Sequence, residues 1–333
     1  MTSVLRVVTR DDLDGVARAA FPARRLVGVS RVRGGTKKGV YRLFLDDDRT
    51  AIAYVWADEE NYWPGGHAVT PADAYADPFS HASGLALFSA AGAELDAAGV
   101  RTPAVYLTDD SGRHYPADVA VVEDVPGGDL LTLLEQQSPL GATVVDRLGG
   151  ALDAMYQRLA PRYGKVALIR AGGVSVGSSC EQVVAERALT DLDEAAWREP
   201  RIGPAKSKIA ALLDELAARV RPRSQYRLIH GELGPEHVLY DRSGSPALID
   251  LEGLMYFDIE WEHVFLRLRY GSYYRRLARA DLDQRRMALY ELAMRLSLVA
   301  GPLRILDGDF PDREGMLEIA DYNTRATLDL LND

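Results

Sequence analysis

The hydrophobic periodicity of this chain changes once, and that change limits what it can fold into more than any other feature. Before Pro126-Gly127-Gly128 the apolar residues fall in short strand-length runs, at 26–32, 40–45, 50–56, 104–107 and 119–122. After it they recur at helical spacing, over 129–136, 143–159, 180–192, 206–220, 261–279, 282–298 and 313–331. The first part also holds a short helix opened by Asp11 or Asp12 and another over 83–98, stopped by Gly99. The second part holds a β insert over 226–251. The pattern predicts an α+β, bilobed molecule: a β-rich lobe over residues 1–125, a hinge at the proline–glycine step, and a mainly helical lobe over 126–333.

Charge narrows the partners. The 333 residues carry a net charge of −10, which disfavours nucleic acid or an anionic membrane surface as the main partner. The balance is uneven: nine Arg and three acidic residues between His263 and Arg304 give that stretch +6 and leave −16 elsewhere. No apolar run reaches bilayer length, and residues 1–21 are broken by charges, unlike a signal-peptide core. The single cysteine, Cys180, has no partner for an internal disulfide and reads as a packed thiol. A cytoplasmic protein is the expectation.

The densest chemistry lies between Leu228 and Glu262. Arg242-Ser243-Gly244-Ser245 separates two apolar runs, a hairpin signal. With Ser243 and Gly244 as the turn residues, His237 falls opposite Asp250, roughly 4.5–5.5 Å away at Cα. A nitrogen ligand beside a carboxylate is a metal-site arrangement, with Glu232 on the loop leading in and Glu252 just beyond. A zinc hydrolase built on His230, Glu232 and His237 is a formal alternative, although no H-E-x-x-H helix is present.

These residues resemble the aminoglycoside phosphotransferase and choline kinase superfamily, relatives of protein kinases. His230-Gly231-Glu232 stands where that family has its catalytic H-G-D, and His237 stands where it has asparagine, as in the macrolide phosphotransferase branch. Ile249-Asp250-Leu251-Glu252 is similar to its second metal motif, and residues 256–262 to its following G-D-P-x-x-D stretch. The resemblance implies a protein-kinase-like fold. It also implies Mg²⁺-dependent transfer of the γ-phosphate of ATP or GTP to a hydroxyl of an antibiotic or sugar-like metabolite. Glu232 would accept or orient the hydroxyl proton, and Asp250, Glu252 and His237 would hold the metal. Asp258 would brace the catalytic loop. Glu232 departs from the family's aspartate by one methylene, a displacement of the order that costs about 10²-fold in rate. An adjusted enzyme and a catalytically weak nucleotide-binding protein are both compatible with that departure.

On the nucleotide side, Gly34-Gly35-Thr36-Lys37-Lys38-Gly39 joins two predicted strands, where the family places its phosphate-covering loop. The lysine that kinases carry on the third strand is missing. Tyr54 occupies that position, and no lysine occurs between Lys38 and Lys165. Glu94 stands too late in its helix to serve as a lysine partner. Lys37 or Lys38 is therefore expected to neutralise the phosphates, with Lys38, next to Gly39, favoured. The resemblance puts the backbone of Glu123 and Val125 at the purine edge. Arg267, Tyr270 and Tyr274, in an Arg- and Tyr-rich stretch after the metal motif, suit an acceptor that is not polycationic. A further cluster, Trp56, Asp58, Glu59, Glu60 and Trp63, has no assigned part.

Overall fold

The computed structural model describes residues 8–32, 35–63 and 75–331. Helix α1 (Arg10–Ala20) starts at a capping box in which Thr9 and Asp12 bond each other's backbone N–H. Five antiparallel strands follow, β1 (Leu26–Arg31), β2 (Gly39–Leu45), β3 (Thr50–Trp56), β4 (Val105–Asp109) and β5 (Asp118–Glu123), in the order β1-β2-β3-β5-β4. Helix α2 (Leu85–Ala97) enters between β3 and β4. Strand β3 is apolar from Ala51 onward because both of its faces are covered there. Ala51, Ala53 and Val55 pack with Leu13 and Val16 of α1, while Ile52 and Tyr54 pack with Phe88 and Leu95 of α2.

The remainder is mostly helix around small sheets. In order it comprises α3 (Leu130–Glu135), α4 (Pro139–Tyr156), β6 (Leu159–Ala160), β7 (Gly164–Lys165), α5 (Val166–Arg170), α6 (Cys180–Arg198) and α7 (Lys206–Ala218). Then come β8 (Tyr226–Ile229), β9 (Val238–Tyr240), β10 (Pro246–Leu248), β11 (Met255–Phe257), α8 (Ile259–Tyr270), α9 (Gln284–Ile305) and α10 (Arg313–Asp329). Strands β9 and β10 form a hairpin, and β6-β8-β11-β7 a four-stranded sheet.

The single helix expected over 261–279 stops at Tyr270. Gly271 takes φ 52° and ψ −128°, a conformation open to glycine, and the chain continues as a 3₁₀ turn through Arg276. At the start of α8, the buried Asp258 accepts from Arg286 and Tyr290 of α9, both at 2.5 Å. This charged cluster fastens α8 to α9, and Cys180 is buried, as expected. No helix among the described residues is long and apolar enough to cross a membrane.

Candidate active site

The loop from His230 to His237 leaves the end of β8 and is held from beneath by α8. One oxygen of the buried Glu262 accepts the N–H groups of His230 at 2.6 Å and Gly231 at 3.1 Å, while its other oxygen has no partner among the described residues. Burial pushes this carboxyl up to about 7, against the pull of the backbone donors. The Trp261 indole N–H donates to the Gly231 carbonyl at 3.2 Å. Gly231 has φ 91°, which favours glycine. Asp258, expected to brace this loop, is instead committed to Arg286 and Tyr290; Glu262 does the bracing. Glu232 is exposed, at the tip that these bonds fix.

The hairpin is offset by one residue from the expected register. Its loop has three residues, Arg242 to Gly244, not two, closed by Gly244 N–H to Asp241 carbonyl at 2.8 Å, with Gly244 at φ 77°. The strands pair Leu248 with Val238, and Ile249 N–H donates to the His237 carbonyl at 3.0 Å, so His237 faces Ile249. A one-residue slip turns the next side chain to the other face. The left-handed backbone of Asp250, φ 61° and ψ 51°, undoes that and leaves its carboxylate 3.7 Å from His237 Nε2. His237 Nδ1 lies 2.7 Å from the Glu232 carbonyl, which ties the hairpin to the loop that carries Glu232.

Lys38 is the unexpected centre of the site. Its buried ammonium donates to Asp250 Oδ1 at 2.7 Å and to Glu252 Oε1 and Oε2 at 2.7 and 2.8 Å. It also lies 5.2 Å from the centroid of the Tyr54 ring, and the Trp56 indole N–H donates to Glu252 at 3.0 Å. The residue in the strand-lysine position thus offers an aromatic face to a lysine from the loop before β2. Burial opposes the charge on Lys38, but Asp250 and Glu252 override it and raise its pKa. Partial loss of water around Asp250 favours its neutral form, yet Lys38 and then His237 hold it well below the usual carboxylate range. Its side chain remains 45% accessible, open to the cleft.

Other expected residues are placed as follows. Thr36 accepts the Trp63 indole N–H at 3.0 Å, and Gly35 takes φ 77°. Gly34 lies outside the described residues. Glu123 binds Arg101 at 2.8 Å and gives its N–H to Ala104; Val125 is buried. Glu94 is occupied by Arg158 and Tyr256. Glu60 pairs with Arg31 and Tyr41, away from any ligand role. Arg267 pairs with Glu291 at 2.6 Å, Tyr270 is buried, and Tyr274 meets His263; no described contact brings the three to Glu232. His230 Nε2 lies 2.9 Å from the Ile249 carbonyl. Among the described residues no three His, Cys, Asp or Glu side chains gather closely enough to hold a metal by themselves.

The family model described as "Phosphotransferase enzyme family" matches residues 76–297, more than half of the chain. No curated protein sequence matches. Several solved structures share the fold. Aminoglycoside phosphotransferase APH(4)-Ia aligns at TM-score 0.58 and 17% identity, over 95% of this chain and 98% of that one. Spectinomycin phosphotransferase APH(9)-Ia, solved with ADP and spectinomycin, aligns at 0.62 and 10% identity, over 96% and 94%. A putative fructosamine-3-kinase from Thermobifida fusca YX-ER1 aligns at 0.52 and 19%, over 94% and 96%. At such identities these likenesses establish the kinase-like α+β fold.

Proposed function

The chain belongs to the phosphotransferase enzyme family, enzymes that move phosphate onto hydroxyl groups, and from that premise we propose a magnesium-dependent small-molecule kinase. It moves the γ-phosphate of ATP or GTP to a hydroxyl of a sugar-like metabolite or antibiotic, in the cytoplasm. The observation that carries this reading is the Lys38 ammonium held across Asp250 and Glu252. Two carboxylates that converge on one cation, with His237 beside them, are donors that fit a hard divalent ion. Mg²⁺ takes one or two carboxylates and leaves its other positions to waters and phosphates. When bound, it would neutralise charge on the transferred phosphoryl group.

This chain's residues do the rest. Residues 1–125 supply the nucleotide side. The backbone of Gly34, Gly35, Thr36 and Lys37 covers the phosphates, the backbone of Glu123 and Val125 meets the purine, and Lys38 takes the part of the missing strand lysine. Residues 126–333 supply the acceptor side. There Glu232, at a tip fixed by Glu262, orients the hydroxyl and holds its proton. The test is nucleotide consumption with a mixed panel of hydroxyl acceptors, with and without Mg²⁺. D250N keeps the left-handed backbone within asparagine's reach but halves the carboxylate pair, and should lose roughly 10²-fold or more in turnover. A folded D250N that turns over like the parent contradicts the assignment.

A further inference from the structure

A second lysine lies near the catalytic loop, and the proposed chemistry does not use it. Lys165 ends β7, and Met255 of β11 pairs with both Lys165 and Ile229. One row of that sheet therefore runs from Lys165 to the residue preceding the catalytic loop, roughly 9–10 Å across two strand spacings. The Lys165 side chain is 2% exposed. Among the described residues its ammonium has one hydrogen-bond partner, the Ser80 carbonyl at 3.4 Å, and no carboxylate within 4 Å. An ammonium brings three donors, and a buried charge without partners is costly, so buried lysines that serve the fold are paired.

The surroundings are positive. Burial and then Lys37 lower the Lys165 pKa to about 8, against the pull of Glu232 and Asp77. Burial, Lys37, Arg187, Arg304 and Lys165 together hold His81 at about 2, so it is neutral. Arg187 and Arg304 are matched by Asp191 and Glu194, whereas Lys37 and Lys165 have no such match among the described residues. His81 stacks on Trp63 at 3.7 Å, and Trp63 binds Thr36 of the glycine-rich loop. The positive corner thus adjoins the phosphate-covering loop on one side and Glu232 on the other.

We propose that Lys165 is the anion-binding group of the acceptor site, and that the acceptor carries a carboxylate or phosphate besides its reacting hydroxyl. The word acceptor rests on the kinase reading; the unmatched buried ammonium does not. Protein saturated with AMP-PNP and Mg²⁺, which fill the nucleotide-phosphate positions, is titrated calorimetrically with inorganic phosphate in one arm and D-glycerate in the other. Glycerol is the uncharged control. The parent should bind at least one of the two anions, one per chain, and not glycerol; the tighter arm identifies the acceptor's anionic group. K165M should weaken that binding at least tenfold and K165R should largely restore it, with AMP-PNP affinity unchanged in both. K165M should also melt no lower than the parent, because it removes an unmatched charge, whereas loss of a lysine serving only the fold would lower the melting temperature. Anion binding that is absent from the parent, or that survives K165M, overturns the proposal. Failure of AMP-PNP to bind counts against the kinase reading instead, and the phosphate arm on nucleotide-free protein then decides Lys165 by the same criterion.

Discussion

At the residue scale, Lys38 is fixed by two carboxylates and an aromatic face, and this sets how the site responds to its loss. K38M strands Glu252, whose side chain is 5% exposed, and should lower stability by about 1–3 kcal/mol in the absence of metal. Millimolar Mg²⁺ should restore much of that loss while barely moving the parent; thermal melts with and without Mg²⁺ read both. The same variant should bind ATP about ten- to a hundredfold more weakly, and K37M should be nearly silent. E232Q should lose transfer yet keep nucleotide affinity, since phosphate positioning does not depend on it; a matching loss of affinity would make Glu232 a metal ligand. The pair Lys37–Lys38 was legible in the sequence by elimination, because no other lysine stood near the first three strands, and its place next to Gly39 favoured Lys38. Its contact with both Asp250 and Glu252 was not, since the partners are more than two hundred positions away. Glu262 was visible as the last acidic position of the stretch over 256–262, but its bracing role was not, since that shows only when the helix end meets the loop in space.

At the element scale, the local rules set the strands and most helices, and the misses have physical causes. Strand β3 spans the expected residues because the unbroken apolar run from Ala51 to Trp56 fits a strand covered on both faces. Strands β6, β7 and β11 have two or three residues each, too few for any period to show. The hairpin register failed by one because the turn holds three residues, with Asp241 accepting from Ser243 N–H at 2.9 Å and Ser245 N–H at 3.0 Å. The neighbourhood of His237 and Asp250 survived through a left-handed residue that sequence reasoning does not foresee. The α8 brace makes a pH prediction. Glu262 has a folded pKa raised from 4.5 to about 7. It keeps its proton in the folded chain where the unfolded chain has released it, so its contribution is full below about 4.5 and is lost as pH rises towards 7. E262Q, which cannot titrate, should therefore gain stability relative to the parent across that window, by at most about 1.4 kcal/mol per pH unit. Denaturant unfolding at pH 4.5 and 7 checks this, and a constant difference between the two proteins would refute it.

At the scale of the whole molecule, the site exists because two differently built halves meet. The N-terminal half contributes Lys38 from the loop before β2, with Tyr54 and Trp56 from β3, and the helical half contributes Asp250, Glu252, His237 and Glu232. Bonds from Lys38 and Trp56 to Glu252 join the halves at the position where the account places metal and phosphate. The bilobed plan was legible from the change of periodicity alone; how the lobes touch was not, because that depends on side chains of opposite charge meeting across the cleft. In the proposed function this junction is a metal-dependent nucleotide site. Its most direct test is calorimetric titration of ATP into the parent and D250N, each with and without Mg²⁺. Mg²⁺ should tighten ATP binding to the parent at least tenfold, and D250N should lose this enhancement. Equal ATP affinity in all four titrations, or no binding in any, would contradict it.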